Sequence, residues 1–156
     1  MAMNMTVSSN LGMVAGPGLR GRWAAVRGRL ERSPLGLHQL LFRLAIAGVF
    51  LRAGLQKAMS WESTLGLFRD EYRVPVLPPE LAAMVATATE IGCSTLLVLG
   101  LMSRLATLPF LGMLATIQLF VYPGAWPEHL VWGSILVFLL TRGPGAVSLD
   151  RALGLE

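Results

Sequence analysis

Three stretches of the chain stay apolar for the length of a bilayer crossing, which takes about 20 residues at 1.5 Å rise per residue. They run from His38 to Ala58, from Glu80 to Met102 and from Arg104 to Tyr122. A fourth, Trp126 to Thr141, is shorter and opens on polar residues, so it would cross only by thinning the bilayer or snorkelling its end. Turn formers separate them. Pro75, Pro78 and Pro79 stop any helix before the second stretch, and Gly100 to Arg104 makes a tight turn. Pro123-Gly124 ends the third, Pro127 opens the fourth, and Gly143-Pro144-Gly145 closes it. Connections this short force antiparallel neighbours. The expected fold class is therefore all-α: an integral membrane four-helix antiparallel bundle over 38–145. A basic extension, 1–37, precedes it and a short tail, 146–156, follows. In the longest connection, Ser60 to Pro79, Ser63-Thr64 would cap a short amphipathic helix through Tyr72. Leu65, Phe68 and Tyr72 share one face of it.

Composition narrows the class. Of 156 residues, 54% are hydrophobic and 14% charged, against roughly 25% charged in soluble proteins. That excludes a disordered chain and leaves too little polar surface for a soluble enzyme this small. One cysteine, Cys93, excludes an intrachain disulfide, a CxxC pair and a cysteine-based zinc site. His38 and His129 lie far apart, so no metal is expected. Eight basic residues (Arg20, Arg22, Arg27, Arg29, Arg32, Arg104, Arg142, Arg151) would lie on one side and three (Lys57, Arg69, Arg73) on the other. The basic side is the cytoplasmic one, so both termini face the cytoplasm. The net charge of +4 then reads as a topology signal, and no nucleic-acid partner is implied. The first stretch carries two arginines and lacks a clean cleavage site, which suits an uncleaved signal anchor. Met1 to Pro17 is expected to be disordered. Leu19 to Arg32 is either an orienting basic tail or a helix on anionic lipid, with Leu19, Trp23, Val26 and Leu30 at helical spacing.

Ionisable residues within a span are costly and are functional candidates by default. Glu90 lies about 15 Å into the second stretch, on a stripe of small and polar residues with Ala86, Thr87, Cys93 and Ser94. Arg52 lies about 9 Å from the outer end of the first, on a face with Gly48 and Gln56. The depth offset of about 6 Å predicts an Arg52–Glu90 pair. Arg43 falls on the opposite face, and snorkelling to the nearer surface is expected. The pair is either a packing device or a polar site that handles protons or holds a polar head group. Gln118, Tyr122, Trp126, His129 and Trp132 gather at the same outer level. They form either an aromatic belt with an interfacial histidine or the wall of an outward cavity, with His129 as a proton carrier. Cys93, beside Glu90, is disfavoured as a thiolate and fills space.

The chain resembles the DoxX family of small bacterial four-helix membrane proteins. RLAIAGVFLRAGLQK at 43–57, the long outer loop, ATEIGCSTLLVLGLMSRLA at 88–106 and RGPGAVSLD at 142–150 carry the likeness. It covers about residues 40 to 152. LFRDEYRVPVLPPELAA at 67–83 and IQLFVYPGAWPEHLVWG at 117–133 resemble a subgroup found beside genes for metal-induced small peptides. The resemblance implies a multi-pass bacterial inner (plasma) membrane protein. It also implies a structural role for Lys57, ending the first span, for the Gly143-Pro144-Gly145 turn and for Asp150. In VSLDRAL, Asp150 would also suit the cap of a terminal helix from Arg151. Where some relatives place a histidine after the acidic residue, this chain has Ile91. Family links to quinone-coupled thiosulfate oxidation and to oxidative and thiol stress suggest a subunit working with membrane or periplasmic protein partners. The candidate ligand is a quinone, at Arg52, Glu90, Gln118, His129 and Trp132, with Glu90 and His129 as candidate proton carriers. No self-contained catalytic motif is present. The rivals are a non-catalytic anchor or assembly factor and a small-solute or metal transporter acting as a homo-oligomer.

Overall fold

The computed structural model describes residues 19–20, 22–23, 27, 34–75 and 77–155. It divides into two units, 1–33 and 34–156. In the first, Leu19, Arg20, Arg22, Trp23 and Arg27 are helical and exposed. The expectations for 1–17, and for most of 19–32, lie outside the described residues.

The second unit is all-α, with no strand among the described residues. Helix α1 (Leu35–Met59) leads into a short α2 (Trp61–Gly66), which continues as a π-helical turn, Leu67–Tyr72. Helix α3 (Pro79–Leu99) starts on Pro79, whose missing N–H costs nothing at a first helical position. Helix α4 (Ser103–Thr116) also ends in a π-helical turn, Ile117–Val121. A 3-10 turn, Pro123–Ala125, leads into α5 (Trp126–Arg142), and α6 (Leu149–Ala152) ends the fold. Three of these segments, Leu35–Met59, Pro79–Leu99 and Ser103–Val121, are long and apolar enough to cross a membrane. The α5 helix has 17 residues, about 26 Å against a bilayer core of about 30 Å.

The long helices close into a ring, α1–α3–α4–α5, with α5 against α1. Named contacts fix the register. Phe42 meets Phe138 and Phe50 meets Trp132, at ring distances of 5.1 and 5.5 Å, so α1 and α5 run antiparallel. A Cβ on Gly54 would stand 2.8 Å from that of Glu90, and one on Gly100 would run into Nη1 of Arg43, so α1 and α3 also run antiparallel. Gly54 thus lets two helices approach where any side chain would hold them apart. The core is apolar at its centre, with Ile46, Phe50, Leu97, Phe110, Leu136 and Leu139 buried. The outside is apolar as well: Leu41, Leu44, Met84, Leu105, Leu108 and Val131 are exposed. A soluble protein does not present such a surface; a lipid-facing one does.

The short loop helix exists, but it starts at Trp61, earlier than expected, and Ser63 does not cap it. Thr64 instead donates back to the Lys57 and Ser60 carbonyls, both at 3.1 Å. Leu65, Phe68 and Tyr72 do share a face, and they pack on Ala82, Ala83 and Ala86 of α3.

Candidate functional site

The fold has two polar ends. At the tail end, the segment after α5 folds back over the bundle. Gln39 Nε2 donates to the Arg142 and Gly143 carbonyls at 3.0 and 3.2 Å. The Asp150 carboxylate accepts from the backbone N–H of Met102 at 2.6 Å and of Ser103 at 2.9 Å. It therefore caps the start of α4, where the donors are otherwise orphaned. The cap of α6 is Ser148, which accepts from the N–H of Arg151 at 3.2 Å. This corrects the reading of Asp150 as the cap of its own helix. Met102, at the start of α4, has a left-handed backbone with φ +47°. Arg43 does not snorkel. It is 1% exposed and donates from Nη2 to the Val147 carbonyl at 2.6 Å. Gly100 leaves room for its guanidinium.

At the loop end, the partner of Glu90 is Lys57. Its Nζ stands 2.7 and 2.8 Å from the two carboxylate oxygens. Arg52 is exposed on the outer face of α1, in a shallow groove with Gly48, Leu55, Gln56 and Met59. The predicted Arg52–Glu90 pair does not form, and the reason is rotation. The inward stripe of α1 is Arg43, Ile46-Ala47, Phe50, Gly54 and Lys57, at spacings of three and four. Arg52, two residues from Gly54, points about 200° away. Lys57, one turn beyond Gly54, lands on Glu90.

The ion pair borders a cavity of ≈ 340 Å³. Its walls are mostly apolar: Phe68, Val85, Ala86, Met113, Ile117 and Val121 among them. Both π-helical turns border it. Each turn carries a hydrogen bond five residues back, Arg73 N–H to the Phe68 carbonyl and Tyr122 N–H to the Ile117 carbonyl. Such turns recur at functional sites. Tyr72 and Tyr122 stand edge to face at 5.8 Å, and the Tyr122 hydroxyl donates to Glu71. That bond raises the Tyr122 pKa, while burial raises that of Tyr72.

The other predicted residues form a separate cluster. Gln118 Nε2 donates to the Pro123 carbonyl at 2.9 Å, which turns its Oε1 to His129 Nδ1 at 2.6 Å. His129 is buried and stacks near Trp132, which packs on Phe50. Gln118, His129 and Trp132 do not line the cavity; Glu90 does. Lys57 was legible as the basic end of the first span, but its partner was not. Gly54, which makes the pairing possible, carried no warning beyond being a small residue one turn away.

Comparison with known proteins agrees with a membrane protein. The DoxX family profile matches residues 38–123. The chain is 34% identical over 132 residues to an uncharacterized membrane protein of Mycobacterium tuberculosis, Rv3486, covering 73% of this chain and 80% of that one. It is 31% identical over 126 residues to the inner membrane protein YphA of Escherichia coli, covering 72% and 87%. No solved structure gives a significant match. The matched region takes in the Lys57–Glu90 pair and all but the first three residues of the three candidate spans, and the chain belongs to the DoxX family of membrane proteins.

Proposed function

We propose that this protein is a four-span inner-membrane subunit, both termini cytoplasmic, that binds a small amphipathic ligand of the quinone class and serves a redox or stress-related process with protein partners. One observation carries the reading: a lysine–carboxylate pair set in the wall of a mostly apolar 340 Å³ cavity. Small-molecule pockets run about 300–1,000 Å³, apolar with a few placed polar groups. This one suits a monocyclic head. Lys57 has three donors, and one can turn to a ketone oxygen. Glu90 can give up or take a proton beside it. A quinone would accept two electrons and two protons; the electrons would come from a redox partner, since one cysteine and two distant histidines give this chain no carrier of its own. The inner-membrane placement follows the printed name of the Escherichia coli relative and the arginine asymmetry.

The test is organic extraction of the purified full chain with chromatography of what it retained. A quinone at about one per chain, lost in Glu90→Gln at unchanged expression, supports the reading. Equal retention by both proteins, or none by either, contradicts it. One observation favours an anchoring role beside this: Arg52 is exposed within a candidate span, without a partner among the described residues. A charge within a span normally pairs with a polar group, and a second chain could supply one to Arg52.

A further inference from the structure

The cavity has an edge that faces sideways. Val85 and Thr89 of α3 line it, and so do Pro109, Gly112 and Thr116 of α4. Val85 is 48% exposed, and Pro109 and Gly112 are exposed too. All five belong to segments able to cross a membrane, so in a bilayer that edge would face hydrocarbon. Small residues hold the gap. A Cβ on Gly112 would meet nothing within 4 Å, and Ala86 and Thr89 line the α3 side. At the loop end the cavity is bordered by large groups. Phe68 is buried against Ala82 and Ala83, and Tyr72 and Tyr122 stack beside it.

We propose that the cavity takes its ligand from the bilayer itself. The head sits beside Lys57 and Glu90, and a single apolar tail leaves between α3 and α4, past Gly112, into the lipid. This rests on the ligand reading above and adds the source and the shape of the ligand: a membrane-dissolved amphipath with a hydrogen-bond-accepting head. A head reached from water would pass Tyr72 and Tyr122 and leave its tail stranded there.

The experiment uses the full chain in phosphatidylcholine nanodiscs and a decyl benzoquinone with a photoreactive group on its tail. Adducts competed by unlabelled decyl benzoquinone should map to Val85, Thr89, Pro109 or Thr116. Gly112→Trp should cut them about tenfold, equivalent to ~1.4 kcal/mol. Gly48→Trp is the matched control, because a side chain there also meets nothing within 4 Å on an outward face, and it should leave them unchanged. Competed adducts on Val74 or Leu77, or full labelling of Gly112→Trp, would overturn the lateral route and leave the ligand reading standing. No competed adduct at all would overturn both.

Discussion

The two ends of the bundle bury charge in different ways. At the tail end, three buried side chains find backbone: Gln39 finds two carbonyls, Arg43 one carbonyl through Nη2, and Asp150 two N–H groups, while Arg43 Nε and Nη1 and the Ser103 hydroxyl have no hydrogen-bond partner among the described residues. Each of these bonds ties one segment to another, and glycine lets them close up. At the loop end, Lys57 and Glu90 find only each other, and they border space. Groups tied to backbone hold a fold, since a buried donor or acceptor left unmade costs ~1–3 kcal/mol. A pair tied to itself can be rearranged by a ligand that offers an equal partner. The difference separates architecture from site, although both ends carry buried charge.

That contrast can be broken at several points. The largest effect is expected from Asp150→Ala. It strips the cap from α4 and leaves Arg43 without the carboxylate that faces it. We expect a loss of about 3 kcal/mol, read as a fall in thermal unfolding temperature in detergent, with Asp150→Asn losing less. Next comes Lys57→Met, which leaves Glu90 unpaired. The cost should be about 2 kcal/mol, below the ~3–5 of fully buried pairs, because Lys57 keeps 17% of its side-chain surface. Removing both charges with Lys57→Met and Glu90→Gln should restore stability to within ~1 kcal/mol of the native chain. An uncorrected loss there would make the loop end architecture too.

A smaller effect is expected at the tyrosines. Tyr122→Phe should cost ~0.5–1.5 kcal/mol, one hydrogen bond. The chain has two tyrosines, so absorbance titration reads only Tyr72 and Tyr122. Both should ionise above the ~10 of free tyrosine. Because the folded chain holds them neutral, their contribution is complete below about pH 10 and lost as pH rises through the higher folded values. Ionisation of both at the free value would contradict the bond to Glu71 and the burial. The smallest effect belongs to Arg52→Leu, at most about 0.5 kcal/mol on the isolated chain, since Arg52 touches no partner among the described residues.

Much of the fold was legible in the sequence. Expected spans 80–102 and 104–122 correspond to Pro79–Leu99 and Ser103–Val121, because proline and glycine mark helix ends in lipid as in water. Glu90 stood out as a buried carboxylate for the same reason: a charge among apolar residues is rare. Helix rotation was not legible. On α1 both the Gly48–Arg52–Gln56 stripe and the Gly54–Lys57 stripe mix small and polar residues, and lipid is as apolar as the core, so periodicity cannot choose between faces. The backbone partners of Asp150 were hidden as well. Its neighbours in sequence offered a cap, whereas the actual donors lie 48 and 47 residues away.

The central claim is that the Lys57–Glu90 pair serves a ligand rather than the fold, and native mass spectrometry of the charge-free double variant tests it most directly. The full chain and the Lys57→Met, Glu90→Gln variant would be released from the same lipid, with thermal stability measured on both. We predict a bound small molecule on the native chain, its loss from the variant, and unfolding temperatures that nearly coincide. A variant that keeps the small molecule, or one that unfolds far below the native chain and binds nothing different, would contradict the account.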